Sequence, residues 1–215
     1  MSSIETVAAA GLAGQNARRA IFLDRDGVLN VEVGYVRSPQ ALQLLPGAAA
    51  AVRRINQSPC LAIAISNQSA VARGLMSEAD LDRVHAQLGA LLAAEHARLD
   101  RIYYCPHYPE KGASGGRPEY QVACQCRKPA PGMILTAAAE LNIDLARSIF
   151  IGDSTADMVA GARAGCQTVL VRTGYGGRDG KYPCRPDLVF DDLYAAIRGL
   201  LGQEDCPPDG ATGGQ

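Results

Sequence analysis

Ala20-Ile21-Phe22-Leu23-Asp24-Arg25-Asp26-Gly27 is the segment on which the fold turns. Four apolar residues run directly into two carboxylates. A short continuous apolar run predicts a strand buried on both faces, over residues 20–23, with Asp24 at its carboxyl end. The same pattern recurs at residues 60–65, 101–104, 148–151, 168–171 and 188–190. Helix-like segments separate these runs, at 47–56, 77–94, 131–141, 155–164 and 191–201. Ser77 is an N-cap candidate with Asp80 in the capping-box position, and Gly165 can close the fourth helix. Buried strands alternating with helices predict an α/β fold, a doubly wound Rossmann-like parallel sheet. Ligands bind such sheets at the carboxyl ends of the strands. The polar residues of interest gather there: Asp24 and Asp26 after the first strand, Ser66 and Asn67 after the second, Asp153 after the fourth.

The chain of 215 residues suits one domain, expected at 18–201, between a flexible tail at 1–17 and a disordered Gly/Pro/Asp-rich tail at 202–215. Lys plus Arg total 21 and Asp plus Glu total 22, for a net charge of −1. There is no global basic field for nucleic acid, so an anionic substrate must be held by local cations. No apolar run approaches the ~20 residues that span a bilayer. The N-terminus has no basic start of the secretory kind. The expectation is a cytoplasmic protein with no membrane or nucleic-acid partner.

Asp24 and Asp26 can share one hard cation, and a carboxylate can attack phosphorus. A strand-end turn or the Asp-x-Asp of a nucleotide-sugar glycosyltransferase would use the same residues. Gly152-Asp153-Ser154-Thr155-Ala156-Asp157 supplies two more carboxylates. Asp153 can complete a metal site, Asp157 can orient its neighbours, and Asp153 or Ser154 can cap the helix. Ser66-Asn67-Gln68-Ser69 offers hydroxyls, amides and backbone N–H groups to a phosphate. Arg127-Lys128-Pro129 adds cations: Lys128 to offset phosphoryl charge, Arg127 to grip a substrate oxygen.

Of the seven cysteines, Cys105, Cys124 and Cys126 cluster with His107. Three sulfurs and one imidazole suit a closed tetrahedral structural zinc site that would staple the long irregular stretch 106–129. Cys60, Cys166, Cys184 and Cys206 are scattered and read as bystanders.

Together these motifs resemble the haloacid dehalogenase superfamily of phosphotransferases. The match is Asp24-x-Asp26, Ser66, Lys128 and Gly152-Asp153-x3-Asp157, in that order. Within it the chain resembles the heptose 1,7-bisphosphate phosphatases. That narrower likeness rests on Phe22 to Gly27, Gly34-Tyr35, Asn67-Gln68-Ser69, Ala72-Arg73-Gly74, Tyr103-Tyr104-Cys105-Pro106-His107 and Cys126-Arg127-Lys128-Pro129-x-Pro131-Gly132-Met133. It covers roughly residues 20–173.

The resemblance implies a core without a large cap domain, acting as a monomer on a small phosphorylated sugar. It implies Mg2+ held by Asp24, Asp153 and the backbone carbonyl of Asp26, and structural Zn2+ held by Cys105, His107, Cys124 and Cys126. Asp24 would form an aspartyl-phosphate, Asp26 would act as acid and then base, and Ser66 and Lys128 would hold the phosphoryl group. Glu32, Val33, Gly34, Tyr35, Asn67, Gln68, Ser69, Arg127 and Ser154 occupy the substrate-contacting positions. Val28 stands where Thr is usual, Ser66 replaces Thr, Glu32-Val33 replaces Asp-His, and Ser154 replaces a Lys of some members. Histidinol-phosphate phosphatases share the core but have a shorter zinc loop; the insertion 108–123 favours the heptose enzymes. Receiver domains, a non-enzymatic alternative, lack an acid at the Asp26 position.

Overall fold

A computed structural model describes residues 17–110 and 116–202. The expected tails, apart from Ala17 and Gly202, lie outside the described residues. Among these residues there are six strands: β1 (Arg19–Leu23), β2 (Cys60–Asn67), β3 (Arg101–Cys105), β4 (Ile149–Gly152), β5 (Gln167–Val171) and β6 (Leu188–Phe190). All pair in parallel, in the order β3-β2-β1-β4-β5-β6. Among the described residues there are five α-helices: α1 (Ala48–Asn56), α2 (Glu78–Ala94), α3 (Gly132–Leu141) and α4 (Thr155–Ala164) connect successive strands from β1 to β5, and α5 (Leu193–Leu201) follows β6. No helix among the described residues is long and apolar enough to cross a membrane.

The strands are apolar on consecutive residues because both sheet faces are covered. Ile21 and Leu23 of β1 point to the face packed by Val52 and Ile55 of α1, Leu81, Val84 and Leu88 of α2, and Ile197 of α5. Ala20 and Phe22 point to the other face, against Met133 and Ile134 of α3 and Ala160 of α4.

Two boundaries differ from expectation in a way that matters. β2 and β3 run on through Asn67 and Cys105, because Ser66 pairs with Tyr104 and Asn67 with Cys105. Ser66, Asn67 and Cys105 are therefore strand residues, held by a ladder rather than by loops. Ser148 stands just outside β4; its hydroxyl donates to the Asp144 carbonyl and accepts from the Ala20 N–H.

Two helix starts are set by side chains. Ser77 and Asp80 form the expected capping box of α2. At α4, Asp157 Oδ2 accepts from the Ser154 N–H (3.0 Å) and hydroxyl (2.6 Å). The chain winds from β1 through β2 to β3 on one side, then restarts at β4 on the other. The switch point lies between β1 and β4, and their carboxyl ends carry Asp24 and Asp153.

Candidate active site

Asp24 leaves β1 with its N–H bonded to the Ile151 carbonyl of β4 at 3.0 Å, so the two strand ends are locked together. Lys128 reaches this junction from the segment before α3. Its Nζ lies 2.8 Å from Asp24 Oδ1, 2.6 Å from Asp157 Oδ1 and 2.9 Å from the Ile65 carbonyl. Asp24, Asp153 and Asp157 bring carboxylate oxygens within 4.8 Å of one another.

Three acids and one lysine leave an excess of negative charge in a buried place. Burial, reinforced by the Asp157 charge and resisted by Lys128, pushes Asp24 from 3.8 up to about 7. Burial, with Asp157 and Asp24 nearby, pushes Asp153 up to about 9. Burial works against the Lys128 ammonium, but Asp157 and Asp24 hold its pKa well above the ordinary lysine value. Crowded, desolvated hard oxygens are the donor set a small divalent cation satisfies. Two glycines make room for the Asp153 carboxylate. Gly27, at φ +80°, and Gly174, at φ +57°, both approach so closely that a Cβ on either would overlap Asp153 Oδ2.

Asp26 sits in a different environment. Its carboxylate accepts from Arg25 Nη2 (2.8 Å), Asn30 Nδ2 (2.9 Å) and Gln68 Nε2 (2.9 Å). Burial raises its pKa, but the Arg25 guanidinium and these hydrogen bonds outweigh it and hold the carboxyl below the usual value. Its side chain is therefore an ionised acceptor beside the cluster of three acids, not a member of it. Gln68 Nε2 also donates to Ser66 Oγ at 2.8 Å.

A second cluster lies at the end of β3. Cys105 Sγ is 3.0 Å from Cys126 Sγ and 3.5 Å from Cys124 Sγ. His107 Nδ1 is 3.3 Å from Cys126 Sγ and 3.6 Å from Cys105 Sγ. Four soft and borderline donors in mutual contact are a tetrahedral set that fits zinc. Their spacing ties the segment carrying Arg127 and Lys128 to β3.

The chain is similar to known proteins. A HAD-hydrolase-like family model matches residues 125–196. A D-glycero-D-manno-heptose-1,7-bisphosphate 7-phosphatase of Thermosynechococcus vestitus is 43% identical over 187 residues, covering 84% of this chain and 94% of that protein. A D-glycero-beta-D-manno-heptose-1,7-bisphosphate 7-phosphatase of Pasteurella multocida is 43% identical over 186 residues, covering 85% of this chain and 98% of the relative. The chain belongs to the heptose-1,7-bisphosphate 7-phosphatase family. A solved member from B. bronchiseptica, complexed with magnesium and phosphate, superposes with a TM-score of 0.74 at 37% identity, covering 85% of this chain and 98% of that one.

In this phosphatase the carboxyl ends of the strands open into one cleft of about 440 Å3. Asp24, Asp26, Ser66, Lys128 and Asp153 line it, with Glu32, Gly34, Tyr35, Asn67, Gln68, Ser69, Arg127 and Ser154. Val33, expected beside them, does not line it. Val33 is 56% exposed. Val28, which replaces the usual Thr, is fully buried in the core. Asn67 faces the cleft but is also a brace: its Nδ2 donates to the Lys128 carbonyl and its Oδ1 accepts the Lys128 N–H, both at 3.0 Å.

Several lining residues of the phosphatase carried no expected role. Arg73 and Arg127 both lie against the Tyr108 ring, and Tyr175, Lys181 and Tyr182 come from the loop after β5. The carboxyl-end rule that located Asp24, Ser66 and Asp153 applies equally to β5, and was the available signal for that loop.

Proposed function

We propose that the protein hydrolyses the 7-phosphate of D-glycero-D-manno-heptose 1,7-bisphosphate with Mg2+ bound, in the synthesis of nucleotide-activated heptose. The observation that carries the chemistry is the buried group of Asp24, Asp153 and Asp157 around Lys128, with an ionised Asp26 beside it at the cleft floor. The names borne by the relatives carry the substrate.

Asp24 Oδ1 is already committed to Lys128 Nζ and the Arg25 N–H (2.7 Å). Among the described residues nothing donates to Oδ2, which is left to bond phosphorus. Attack by Asp24 breaks the phosphorus–oxygen bond to the sugar and leaves an aspartyl-phosphate. The departing sugar oxygen takes a proton from Asp26. A phosphate dianion arriving beside Asp26 opposes its charge and so favours the protonated form that this step needs. The water that next attacks phosphorus gives its proton back to Asp26, and Asp24 is released. Ser66 and Lys128 hold the phosphoryl oxygens throughout. Asp24 and Asp153, with the backbone carbonyl of Asp26, would hold Mg2+, which when bound supplies positive charge to the transferring group. Cys105, His107, Cys124 and Cys126 would hold zinc in a structural role. We take the protein to act as a cytoplasmic monomer.

Phosphate release from the heptose bisphosphate and from histidinol phosphate tests the assignment. A higher kcat/KM with the bisphosphate is expected; preference for histidinol phosphate would overturn it. A receiver-like switch is disfavoured by Asp26, and multiple turnovers would exclude it.

The raised carboxyls also predict how metal and pH combine. Folded Asp24 and Asp153 keep protons that their unfolded counterparts release near 3.8. Their contribution to stability is complete below that pH. It declines as pH rises toward about 7 for Asp24 and about 9 for Asp153. In Mg2+-free buffer, Tm should therefore fall between about pH 5 and 8, and the Mg2+-induced rise in Tm should be larger at pH 8. Thermal melts with and without Mg2+ check this; a Mg2+ effect equal at both pH values refutes it.

A further inference from the structure

The cleft has two walls, and only one has a role so far. On the β2–β3 side stand Arg73 and Arg127, whose guanidinium carbons lie 4.1 and 4.9 Å from the centre of the Tyr108 ring. On the other side of β1 rises the loop 172–187, between β5 and β6. The sheet order puts these walls on opposite flanks of the floor.

The second wall is fixed to the floor at several points. The Thr173 hydroxyl donates to the Gly27 carbonyl at 2.6 Å. The Tyr175 N–H donates to Asp153 Oδ2, and the Gly177 N–H to the Asp153 carbonyl, both at 2.7 Å. Farther along, Asp179 accepts from the Thr155 N–H (2.8 Å) and hydroxyl (2.6 Å). The Tyr182 N–H donates to the same hydroxyl at 3.2 Å. The residues flanking Lys181 are thus bonded to the first turn of α4, next to Ser154.

Lys181 lines the cleft from this anchored position. Among the described residues no carboxylate forms an ion pair with it. The nearest acid in sequence, Asp179, already commits one oxygen to each Thr155 donor. An uncompensated ammonium carried on an anchored stretch of chain at the edge of a cleft is set up for an external anion. The floor, where Ser66, Lys128 and Asp153 are buried, takes the transferred phosphoryl group. The exposed rim therefore faces the leaving group.

We infer that Lys181 is a specificity-determining residue that binds the anionic leaving group of the substrate, its second phosphate, from the wall opposite Arg73 and Arg127. Loop 172–187 is then a recognition wall as well as a support for Asp153. The inference rests on the bisphosphate reading above.

Lys181→Met, Lys181→Arg and wild type are compared in kcat/KM for heptose 1,7-bisphosphate and for heptose 7-phosphate, which lacks the second phosphate. The bisphosphate-to-monophosphate ratio is expected to fall about tenfold in Lys181→Met, mainly through KM, and to return in Lys181→Arg. An unchanged ratio, equal losses on both substrates, or no recovery with Arg overturns the inference. If wild type itself shows no preference for the bisphosphate, the bisphosphate reading falls and this inference with it. If wild type prefers it and Lys181→Met keeps that preference, only the inference falls.

Discussion

Asp24→Asn is expected to lower kcat by at least about 10⁴-fold, ~5.5 kcal/mol in barrier, while the protein stays folded. The amide is nearly the shape of the carboxylate, and its oxygen still accepts from Lys128 Nζ and the Arg25 N–H. What is lost is the nucleophile. An amide oxygen does not form the acyl phosphate that the mechanism requires. The change also takes one charge out of a crowded group of three buried acids. In Mg2+-free buffer at pH 8, the Asn variant should melt higher than wild type, because that repulsion is relieved. Loss of activity with a gain in stability is a combination that simple unfolding does not produce. Acid-quenched wild type should carry a phosphate adduct in its intact mass, and the variant none. Residual activity above about one per cent of wild type would remove Asp24 as the nucleophile.

The order of the elements was readable because apolar runs of strand length are separated by amphipathic stretches of helix length, and each run ends in a polar cluster. The positions of Asp24, Asp26, Ser66 and Asp153 followed from the strand ends alone. The partnership of Lys128 did not. Its bonds to Asp24 and Asp157 join segments far apart in sequence, and Asp157 was expected only to orient neighbours, whereas it grips the lysine at 2.6 Å. Arg25, buried at 1% exposure, was read as the spacer in Asp-x-Asp, yet its guanidinium holds Asp26 ionised. An arginine between two acids looks like a solvated charge until its burial is known. For Tyr175, Lys181 and Tyr182 the carboxyl-end rule points to their loop but to none of them individually. They lie in a Gly-rich stretch with no paired carboxylates, and the ties of Thr173 to Gly27, of Tyr175 and Gly177 to Asp153, and of Asp179 and Tyr182 to Thr155 bring them to the cleft.

Stripping the proposed zinc, or replacing Cys126 by Ser, is expected to raise KM by roughly 10- to 100-fold and to lower kcat by less than about tenfold. The split follows from how the two neighbours of Cys126 are anchored. Lys128 has supports independent of the cluster: two hydrogen bonds to Asn67 at 3.0 Å, the Ile65 carbonyl, and the Asp24 and Asp157 carboxylates. Arg127 has a hydrogen bond to the His107 carbonyl at 3.1 Å and the face of Tyr108, and both belong to the stapled segment. Freeing that segment therefore displaces Arg127, and with it the hold on the leaving group, before it disturbs the phosphoryl site. The fold should survive. The core packed by α1, α2 and α5 contains no residue of the cluster, whereas Cys105, Cys124 and Cys126 touch only the core beneath α3 and α4. Far-ultraviolet circular dichroism should change little, and Tm should drop by several degrees. Zinc content, Tm and the two kinetic constants, measured on the same chelator-treated sample, decide the matter. If kcat collapses while KM holds, Lys128 depends on the staple after all, and its bonds to Asn67, Asp24 and Asp157 are not enough to keep it in place.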